Sequence, residues 1–322
     1  MSRYLVTGCA GFIASRVAAM LLQQGHQVVG VDNLNDYYDV SLKQHRVDSL
    51  TDQRFTFRRM DIENTADVDS LFDEPFDAVL NLAARAGVRY SMENPHVYVR
   101  TNMIGTLNLL EAMQRTGTPK FVLASTSSLY AGGPMPFSET LPVNTPISSY
   151  AASKKGAEML AHSHHHLYGI DVSVCRYFTV YGPAGRPDMC IFRFIHWIAS
   201  EQPIELFGDG TQSRDFTYVD DIARGTIAAI KNVGYQVFNL GGGNNPVSLL
   251  EIIAKLEDLI GKKAKLEHRE FHKADIKVTQ ADVSRAAEVL GWKPRVGLDD
   301  GLAACVDWYR ENQPWSSQIS LP

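Results

Sequence analysis

The sequence feature that most limits the fold lies in the first 32 residues. Apolar residues 4–6 run into a turn with the sequence Thr-Gly-Cys-Ala-Gly-Phe, a helical pattern follows to Gln24, and apolar residues 27–31 end in Asp32. Strand, glycine turn, helix, strand and acidic residue in this order predict a unit that binds a dinucleotide. Gly8 permits the tight turn, and Gly11 lets the backbone approach a pyrophosphate at the helix N-terminus. Asp32 suits two ribose hydroxyls and repels a 2′-phosphate, which favours NAD over NADP.

Strand and helix patterns continue to alternate as far as Val180. Strands are predicted at residues 55–59, 78–82, 120–123 and 172–178, and helices at residues 67–72, 95–115 and 148–168. The alternation predicts an α/β fold with a doubly wound parallel sheet, which binds ligands at the carboxyl ends of its strands. Four residues follow such ends, and we expect them to converge on one crevice: Asp32, Ala83, Thr126 and Thr179.

The pattern changes after Val180, where residues 181–188 form a loop rich in glycine and proline. Helices are predicted at residues 190–200, 219–230, 249–259, 283–290 and 298–309, and residues 237–240 resemble one more strand of the sheet. We expect an NAD-binding domain of residues 1–180 plus about 218–242, and a smaller substrate lobe of residues 181–217 plus 243–322. The cleft between them is the expected substrate site.

The candidate chemistry lies on the predicted helix at residues 148–168. Tyr150 and Lys154 are one helical turn apart and share a face. A phenol titrates near pH ~10, too high for a base at neutral pH, and we expect protonated Lys154 to lower the pKa of Tyr150. The Thr126 hydroxyl reaches the same substrate oxygen. Such a group moves a proton on and off an alcohol while a hydride leaves the carbon. A Tyr-x-x-x-Lys pair alone is most often a helix surface pair, and the predicted nicotinamide site favours the catalytic interpretation.

Composition excludes several other classes of protein. With 322 residues, 45% apolar residues and a net charge of −5, the chain has no overall basic balance for nucleic acid or anionic membranes. The four cysteines are far apart in the sequence and predict reduced thiols rather than disulfides or a zinc site. No signal peptide and no apolar run of about 18 residues is present, so a cytoplasmic protein is expected. His162 and His166 are better explained as a solvated or interface face than as metal ligands.

Taken together, these residues resemble the extended short-chain dehydrogenase/reductase family along nearly the whole chain. The motifs that carry the resemblance are the Thr-Gly-x-x-Gly-Phe turn, Ser125-Thr126, Tyr150-x-x-x-Lys154, Arg176-Tyr-Phe178 and Arg214-Asp-Phe. Within the family the chain is most similar to UDP-glucuronate 4-epimerases, on residues 86–91, 161–169 and 178–189. The resemblance implies a Rossmann fold and a tightly held NAD. It also implies a UDP-hexuronic acid substrate that is oxidised at carbon 4 and then reduced from the other face.

The same resemblance implies the site residues. Cofactor contacts are expected at Gly8, Gly11, Phe12, Ile13, Asp32, Asn33, Asp61, Ile62, Leu82, Ala83, Ala84, Ser125, Tyr150, Lys154 and Tyr177. Substrate contacts are expected at Arg89, Ser127, Ser128, Thr179, Arg186, Phe207, Arg214 and Asp275. The sugar carboxylate is expected beside Ser127, Ser128, Thr179 and Arg186. Arg214 is expected to hold the diphosphate, and Arg89 either the diphosphate or the carboxylate. Phe207 is expected to contact the uracil, and Asp275 the uridine ribose. A diphosphate contact by His272 or Lys277 stays open.

Two neighbouring activities of the family remain as alternatives, epimerisation of a neutral UDP-hexose and decarboxylation of UDP-glucuronate. Related 4,6-dehydratases have an Asp-Glu pair after the threonine, and related decarboxylases have Glu at the position of Ser128. Both positions are serine here, which argues against elimination and loss of CO₂. The intact Tyr150, Lys154 and Thr126 argue against a binding protein without catalysis. The resemblance also implies a homodimer formed by the helix at residues 95–115 and the Tyr150 helix.

Overall fold

A computed structural model describes residues 1–243, 246–271 and 276–321. The strands are β1 (Arg3–Thr7), β2 (Gln27–Asp32), β3 (Phe55–Arg59), β4 (Ala78–Asn81), β5 (Lys120–Thr126), β6 (Asp171–Tyr177), β7 (Thr179–Tyr181), β8 (Pro203–Phe207), β9 (Ser213–Arg214), β10 (Phe216–Tyr218), β11 (Tyr235–Leu240), β12 (Val247–Ser248) and β13 (Lys265–Arg269). The helices are α1 (Phe12–Gln23), α2 (Val40–Asp48), α3 (Thr65–Asp69), α4 (Tyr90–Glu93), α5 (Pro95–Tyr98), α6 (Gly105–Thr116), α7 (Ser149–Tyr168), α8 (Cys190–Ala199), α9 (Val219–Ala228), α10 (Leu249–Ile260), α11 (Ser284–Leu290), α12 (Leu298–Glu311) and α13 (Gln313–Ser316).

The main sheet has seven strands in the order β11-β6-β5-β4-β1-β2-β3, and every adjacent pair is parallel. Its central strands are almost continuously buried, as expected for a parallel sheet covered on both faces. One face packs against α1, α9 and α11, and the other against α3, α6 and α7. The predicted doubly wound parallel sheet is therefore confirmed, including the return of the chain to the sheet at β11.

A separate apolar cluster lies in the C-terminal part of the chain. It joins α8, β8, α10 and α12, with Phe194, Leu206, Leu256 and Leu302 in its interior. Three two-stranded sheets, β7 with β10, β8 with β13 and β9 with β12, accompany this cluster. The C-terminal part of the chain therefore has its own hydrophobic support.

The helix expected at residues 95–115 is confirmed as a continuous helical run, and the prediction missed only the π-helical turn within it. The helix α5 leads into a π-helical turn, Val99–Ile104, which leads into α6. Within this turn Asn102 points inward, accepts from Arg85 N at 2.9 Å, and donates to Arg85 O at 3.0 Å and Ser153 Oγ at 2.8 Å. The π-helical turn, which is wider than an α-helical turn, contains the buried Asn102 amide, and the partners of this amide are distant in sequence.

Several other boundaries differ from the sequence-based expectation. The helix α3 begins at Thr65 because the Asn64 side chain accepts from the N–H groups of Ala66 and Asp67. The helix α2 was not predicted, since its buried side chains include charged Lys43 and Arg46 among few apolar residues. The strand β13 was missed because all of its residues are exposed.

Candidate active site

A cavity of about 1270 Å³ opens at the carboxyl ends of β1, β2, β4, β5 and β6. All predicted cofactor, catalytic and substrate residues that lie in the described ranges line it. Asp275 and His272 lie outside the described residues. The volume exceeds the roughly 300–1,000 Å³ usual for ligand sites, and the cavity extends from the glycine turn to the C-terminal cluster. Residues that are far apart in the sequence therefore meet in one crevice.

The glycine turn leaves space for a ligand only because side chains are absent there. Gly8 has φ of +71°, and a Cβ on it would lie 2.8 Å from the backbone of Ala83. A Cβ on Gly11 would lie 2.8 Å from Gly8 O, the atom that accepts from Gly11 N at 2.7 Å. No side chain caps the start of α1, so its first N–H groups face the cavity as a site for anions. This cradle fits the pyrophosphate of a dinucleotide.

Asp32 lies where a nucleotide ribose is expected. Its carboxylate accepts from Leu34 N at 2.8 Å and from Ala10 N at 3.2 Å, which fixes it at the end of β2. The neighbouring Asn33 donates from Nδ2 to Asp61 Oδ2 at 2.8 Å. The three polar side chains predicted for the adenosine end are thus held by local hydrogen bonds before any ligand is considered.

Tyr150 and Lys154 lie on the first turns of α7, beside Thr126 at the end of β5. Burial raises the pKa of the Tyr150 phenol, while a hydrogen bond with Thr126 and the charge of Arg186 oppose the rise. Burial also lowers the pKa of Lys154 to about 8, against the charge of Glu158. Lys154 is 4% exposed and donates from Nζ to Ala124 O at 2.9 Å. The net shift of the Tyr150 pKa is therefore upward, opposite to the shift expected from a neighbouring Lys154, because desolvation dominates.

Thr126 connects the strand to the residues that follow it. Its hydroxyl accepts from Ser128 N at 3.1 Å and caps a short 3₁₀ helix, Ser127–Tyr130. Ser127 and Ser128 follow this cap directly. Thr126, Ser127 and Ser128 line the same cavity as Tyr150.

Cationic side chains surround the other end of the cavity. The Arg89 guanidinium lies 3.8 Å from the centre of the Phe207 ring, a cation–π contact. Arg214 donates to Ser213 O at 2.9 Å and to Lys277 O at 3.1 Å, so the contact from Lys277 is made by its backbone. These groups form a positively charged wall suited to phosphates.

Arg186 lines the same cavity. It forms an ion pair with Asp188, with Nε donating to Oδ1 at 3.0 Å, and Asp188 raises the pKa of the guanidinium. The Arg186 charge opposes the rise in the pKa of Tyr150, and both residues line the cavity. Asp188 was not among the predicted site residues.

Sequence reasoning also missed Arg193, Gln212 and Lys43, which line the cavity. Within the described ranges, Arg193 Nε and Gln212 Oε1 are buried without a hydrogen-bond partner, and burial lowers the pKa of Arg193. Burial lowers the pKa of Lys43 to about 8. A signal for Arg193 was present, since it is the one Arg in the otherwise apolar segment Cys-Ile-Phe-Arg-Phe-Ile of α8.

The fold and the site define an NAD-type nucleotide-sugar enzyme scaffold, and comparison with known proteins identifies the family. The sequence pattern of the NAD dependent epimerase/dehydratase family matches residues 4–241. This chain belongs to that family.

Individual relatives are similar over nearly the full length. A UDP-glucuronate 4-epimerase of Thermodesulfobacterium geofontis is 60% identical over 314 residues, 97% of each chain. The crystal structure of UDP-glucuronic acid 4-epimerase from Bacillus cereus with UDP-glucuronic acid and NAD is 41% identical, with a TM-score of 0.91 over 96% of this chain and 99% of that chain. UDP-glucose 4-epimerase of Thermotoga maritima with UDP-glucose is 30% identical, with a TM-score of 0.87 over 97% of this chain and 99% of that one.

No helix in the described ranges has the length and apolar character that a membrane crossing requires. Over the same part of the chain, no three or more His, Cys, Asp or Glu side chains are arranged to hold a metal ion.

Proposed function

We propose that this protein is an NAD-dependent UDP-glucuronate 4-epimerase, which interconverts UDP-glucuronic acid and UDP-galacturonic acid. The observation that carries the proposal is the position of Tyr150, Thr126 and Lys154 in one cavity with a dinucleotide cradle and an Arg-lined wall. The relative from Thermodesulfobacterium geofontis, named for this activity, supports the choice of substrate.

The residues around the glycine turn fit NAD. The first N–H groups of α1 hold its pyrophosphate, and Asp32 accepts from the hydroxyls of its adenosine ribose. NAD held there would supply a reversible hydride acceptor for sugar carbon 4, so the reaction would have no net oxidation. The wide cavity leaves space for a nucleotide sugar beside the dinucleotide.

Tyr150 is the proton acceptor for the sugar 4-hydroxyl. As the C4–H hydride leaves, the O–H proton passes to the phenolate oxygen and carbon 4 becomes a ketone. Thr126, hydrogen-bonded with the phenol, holds the sugar oxygen in line with it. Protonated Lys154, one helical turn away, hydrogen-bonds the nicotinamide ribose, and the charge of Arg186 opposes the rise in the pKa of the phenol. The proton returns to the oxygen when the hydride returns to the opposite face of carbon 4.

Retaining the sugar carboxylate is a second task of this site. The ketone at carbon 4 makes the substrate a β-keto acid, which loses CO₂ when its C–C bond lies perpendicular to the ring plane. Arg186 and the hydroxyls of Ser127, Ser128 and Thr179 hold the carboxylate near the ring plane. Arg186 lines the same cavity as these hydroxyl groups, which supports this role.

Binding of the nucleotide uses the cationic end of the cavity. Arg214 and Arg193 neutralise the diphosphate, for which a guanidinium has suitable planar donors. The ring of Phe207, covered by Arg89, provides a flat surface for the uracil. These contacts lie away from the reacting carbon and fix its position.

Incubation of the purified protein with UDP-glucuronic acid, followed by anion-exchange separation of nucleotide sugars, tests the proposal. The expected product is UDP-galacturonic acid, without added NAD and without a UDP-pentose. A UDP-pentose as the main product would instead identify a decarboxylase. Conversion of UDP-glucose but not UDP-glucuronic acid would identify an epimerase of neutral sugars. Tyr150→Phe serves as the inactive control.

We further propose the two-lobe division described above, a homodimer and a cytoplasmic location. Separate apolar clusters for the sheet and for the C-terminal helices support the two lobes. Exposed apolar side chains on the π-helical turn and α7 support the dimer: Val99, Ile104, Met159 and Leu167. Four free cysteines suit a reducing compartment.

A further inference from the structure

Arg46 on α2 is a buried cation outside the proposed chemistry. Arg46 is only 3% exposed. The guanidinium donates to two separate loops. Nη1 donates to Ala10 O at 3.1 Å in the first loop. In the second loop, Ala184 O accepts from Nε at 3.1 Å and from Nη2 at 2.7 Å, and Gly185 O accepts from Nη2 at 3.2 Å. Nη1 also donates to the Tyr38 hydroxyl at 2.6 Å. One side chain therefore ties together two segments that are more than a hundred residues apart.

The first of these segments is the dinucleotide turn. Ala10 lies between Gly8 and Gly11, and its N–H group donates to the Asp32 carboxylate at 3.2 Å. The same residue therefore contacts Asp32 through its N–H and Arg46 through its carbonyl. Arg46 therefore holds the turn at a residue that does not itself line the cavity.

The second segment directly precedes Arg186. Ala184 has φ of +50°, a left-handed conformation that residues with a Cβ rarely adopt. Three of the five donor contacts of Arg46 go to Ala184 and Gly185. The conformation that presents Arg186 to the cavity therefore depends on hydrogen bonds from α2.

These contacts are made to neutral acceptors. In the described part of the chain Arg46 forms no ion pair with a carboxylate, although burial of a charge without a partner is unfavourable. The planar guanidinium has donors in a fixed arrangement, which can span two loops at once. Geometry, rather than charge neutralisation, explains an arginine at this position.

We propose that Arg46 is a positioning residue that fixes the Arg186 loop against the dinucleotide turn. It thereby sets the place of the sugar carboxylate relative to the hydride acceptor. The inference rests on the proposed function, and it assigns the control of carboxylate selectivity to a residue that does not touch the substrate. Without Arg46 the loop relaxes at Ala184, and Arg186 no longer holds the carboxylate in the ring plane.

Loss of this control has a defined chemical outcome. In the 4-keto intermediate the C5–C6 bond breaks, CO₂ leaves, and the electron pair forms an enolate between carbons 4 and 5. A solvent proton then adds to carbon 5. The resulting 4-keto-pentose nucleotide is either reduced by the hydride taken earlier or released, which leaves the cofactor reduced.

The test compares Arg46→Met, Arg46→Lys and the parent, with Lys120→Met as the matched control. Lys120 is also a buried cation, with contacts to Asp171, Ser173 Oγ and Lys231 O, but it lies at the opposite end of β5 and does not line the cavity. Two quantities are measured for each folded variant: the ratio of UDP-pentose to UDP-galacturonic acid formed, and the ratio of affinities for UDP-glucuronic acid and UDP by calorimetry.

For Arg46→Met we expect the affinity ratio to fall about tenfold, as for weakening one charge-assisted hydrogen bond, and the pentose fraction to rise. Arg46→Lys keeps the charge but spans fewer carbonyls, and both of its values should lie between those of parent and Arg46→Met. Lys120→Met should lower only the unfolding temperature. If Arg46→Met has the product ratio and the affinity ratio of the parent, the inference is overturned. If Arg46→Met does not fold, the same result in Arg46→Lys overturns it. A parent protein that binds no UDP-glucuronic acid refutes the proposed function itself.

Discussion

The pair Glu158–Arg176 beneath the active site gives a prediction whose size follows from its burial. Glu158 is 1% and Arg176 is 3% exposed. Arg176 donates from Nε to Glu158 Oε1 at 2.9 Å and from Nη2 to Oε2 at 2.7 Å. The network continues from Ser125 Oγ to Glu158 Oε1 at 2.7 Å, and from Arg176 Nη1 to the Tyr130 hydroxyl at 2.8 Å. It thus joins α7, β5 and β6 next to Thr126.

We expect Glu158→Gln to destabilise the protein strongly, because Arg176 then keeps a buried charge without its acid. Breaking a buried pair in this way costs about 3–5 kcal/mol. With roughly 2.1 cal/mol/K of unfolding entropy per residue, the 322 residues give about 0.7 kcal/mol/K in total. The unfolding midpoint should therefore fall by about 4–7 °C.

Thermal unfolding followed by circular dichroism measures this shift. Glu257→Gln, which removes the partner of the exposed Lys263, is the control and should stay within about 1 °C of the parent. The double variant Glu158→Gln/Arg176→Met should recover part of the loss, because it leaves no unpaired buried charge. A Glu158→Gln midpoint within about 1 °C of the parent would refute the reasoning, since the pair would then contribute no more than a surface pair.

Three further predictions concern the proposed chemistry. Tyr150→Phe removes the proton acceptor and should lower kcat about 10²–10⁴-fold with little change in KM; parent-like formation of UDP-galacturonic acid would contradict the role. Gly8→Ala places a Cβ 2.8 Å from the backbone of Ala83 and should abolish copurifying NAD, which is measured by absorbance after denaturation. The control Gly117→Ala has a similar φ of +74° but open space around the added Cβ, and it should retain NAD. The pKa of Lys154 is about 8 in the folded protein and 10.5 for the free side chain. Between these two pH values the folded state therefore binds fewer protons than the unfolded state. Its contribution to stability should therefore rise with pH across that window, and Lys154→Met should remove this rise from the unfolding midpoints.

The sequence was sufficient for those parts of the site that topology alone brings together. Gly8, Asp32 and Thr126 each follow a strand of the parallel sheet, and carboxyl ends of such strands meet at one edge. Their convergence follows from strand order, which the alternation of helices and strands predicts. The position of Tyr150 follows in the same way from the helix after β5.

Contacts between distant side chains were beyond local pattern reasoning. The partners of Arg46 and of Asn102 lie on other elements, and no spacing in the chain indicates them. The direction of the Tyr150 pKa shift was mistaken for a related reason. It depends on how deeply the phenol is buried, which the Tyr-x-x-x-Lys motif does not specify.

The π-helical turn before α6 makes this part of the chain sensitive to length. Each helical residue rotates the following side chains by roughly 100° about the helix axis. Removing one residue from Val99–Ile104 would therefore rotate either Asn102 away from its partners or the apolar side of α6 away from the core. Leu109 and Leu110 are fully buried on that side, and Asn102 is anchored to Arg85 and Ser153. Natural variants of this enzyme should therefore exchange residues here far more readily than they gain or lose them.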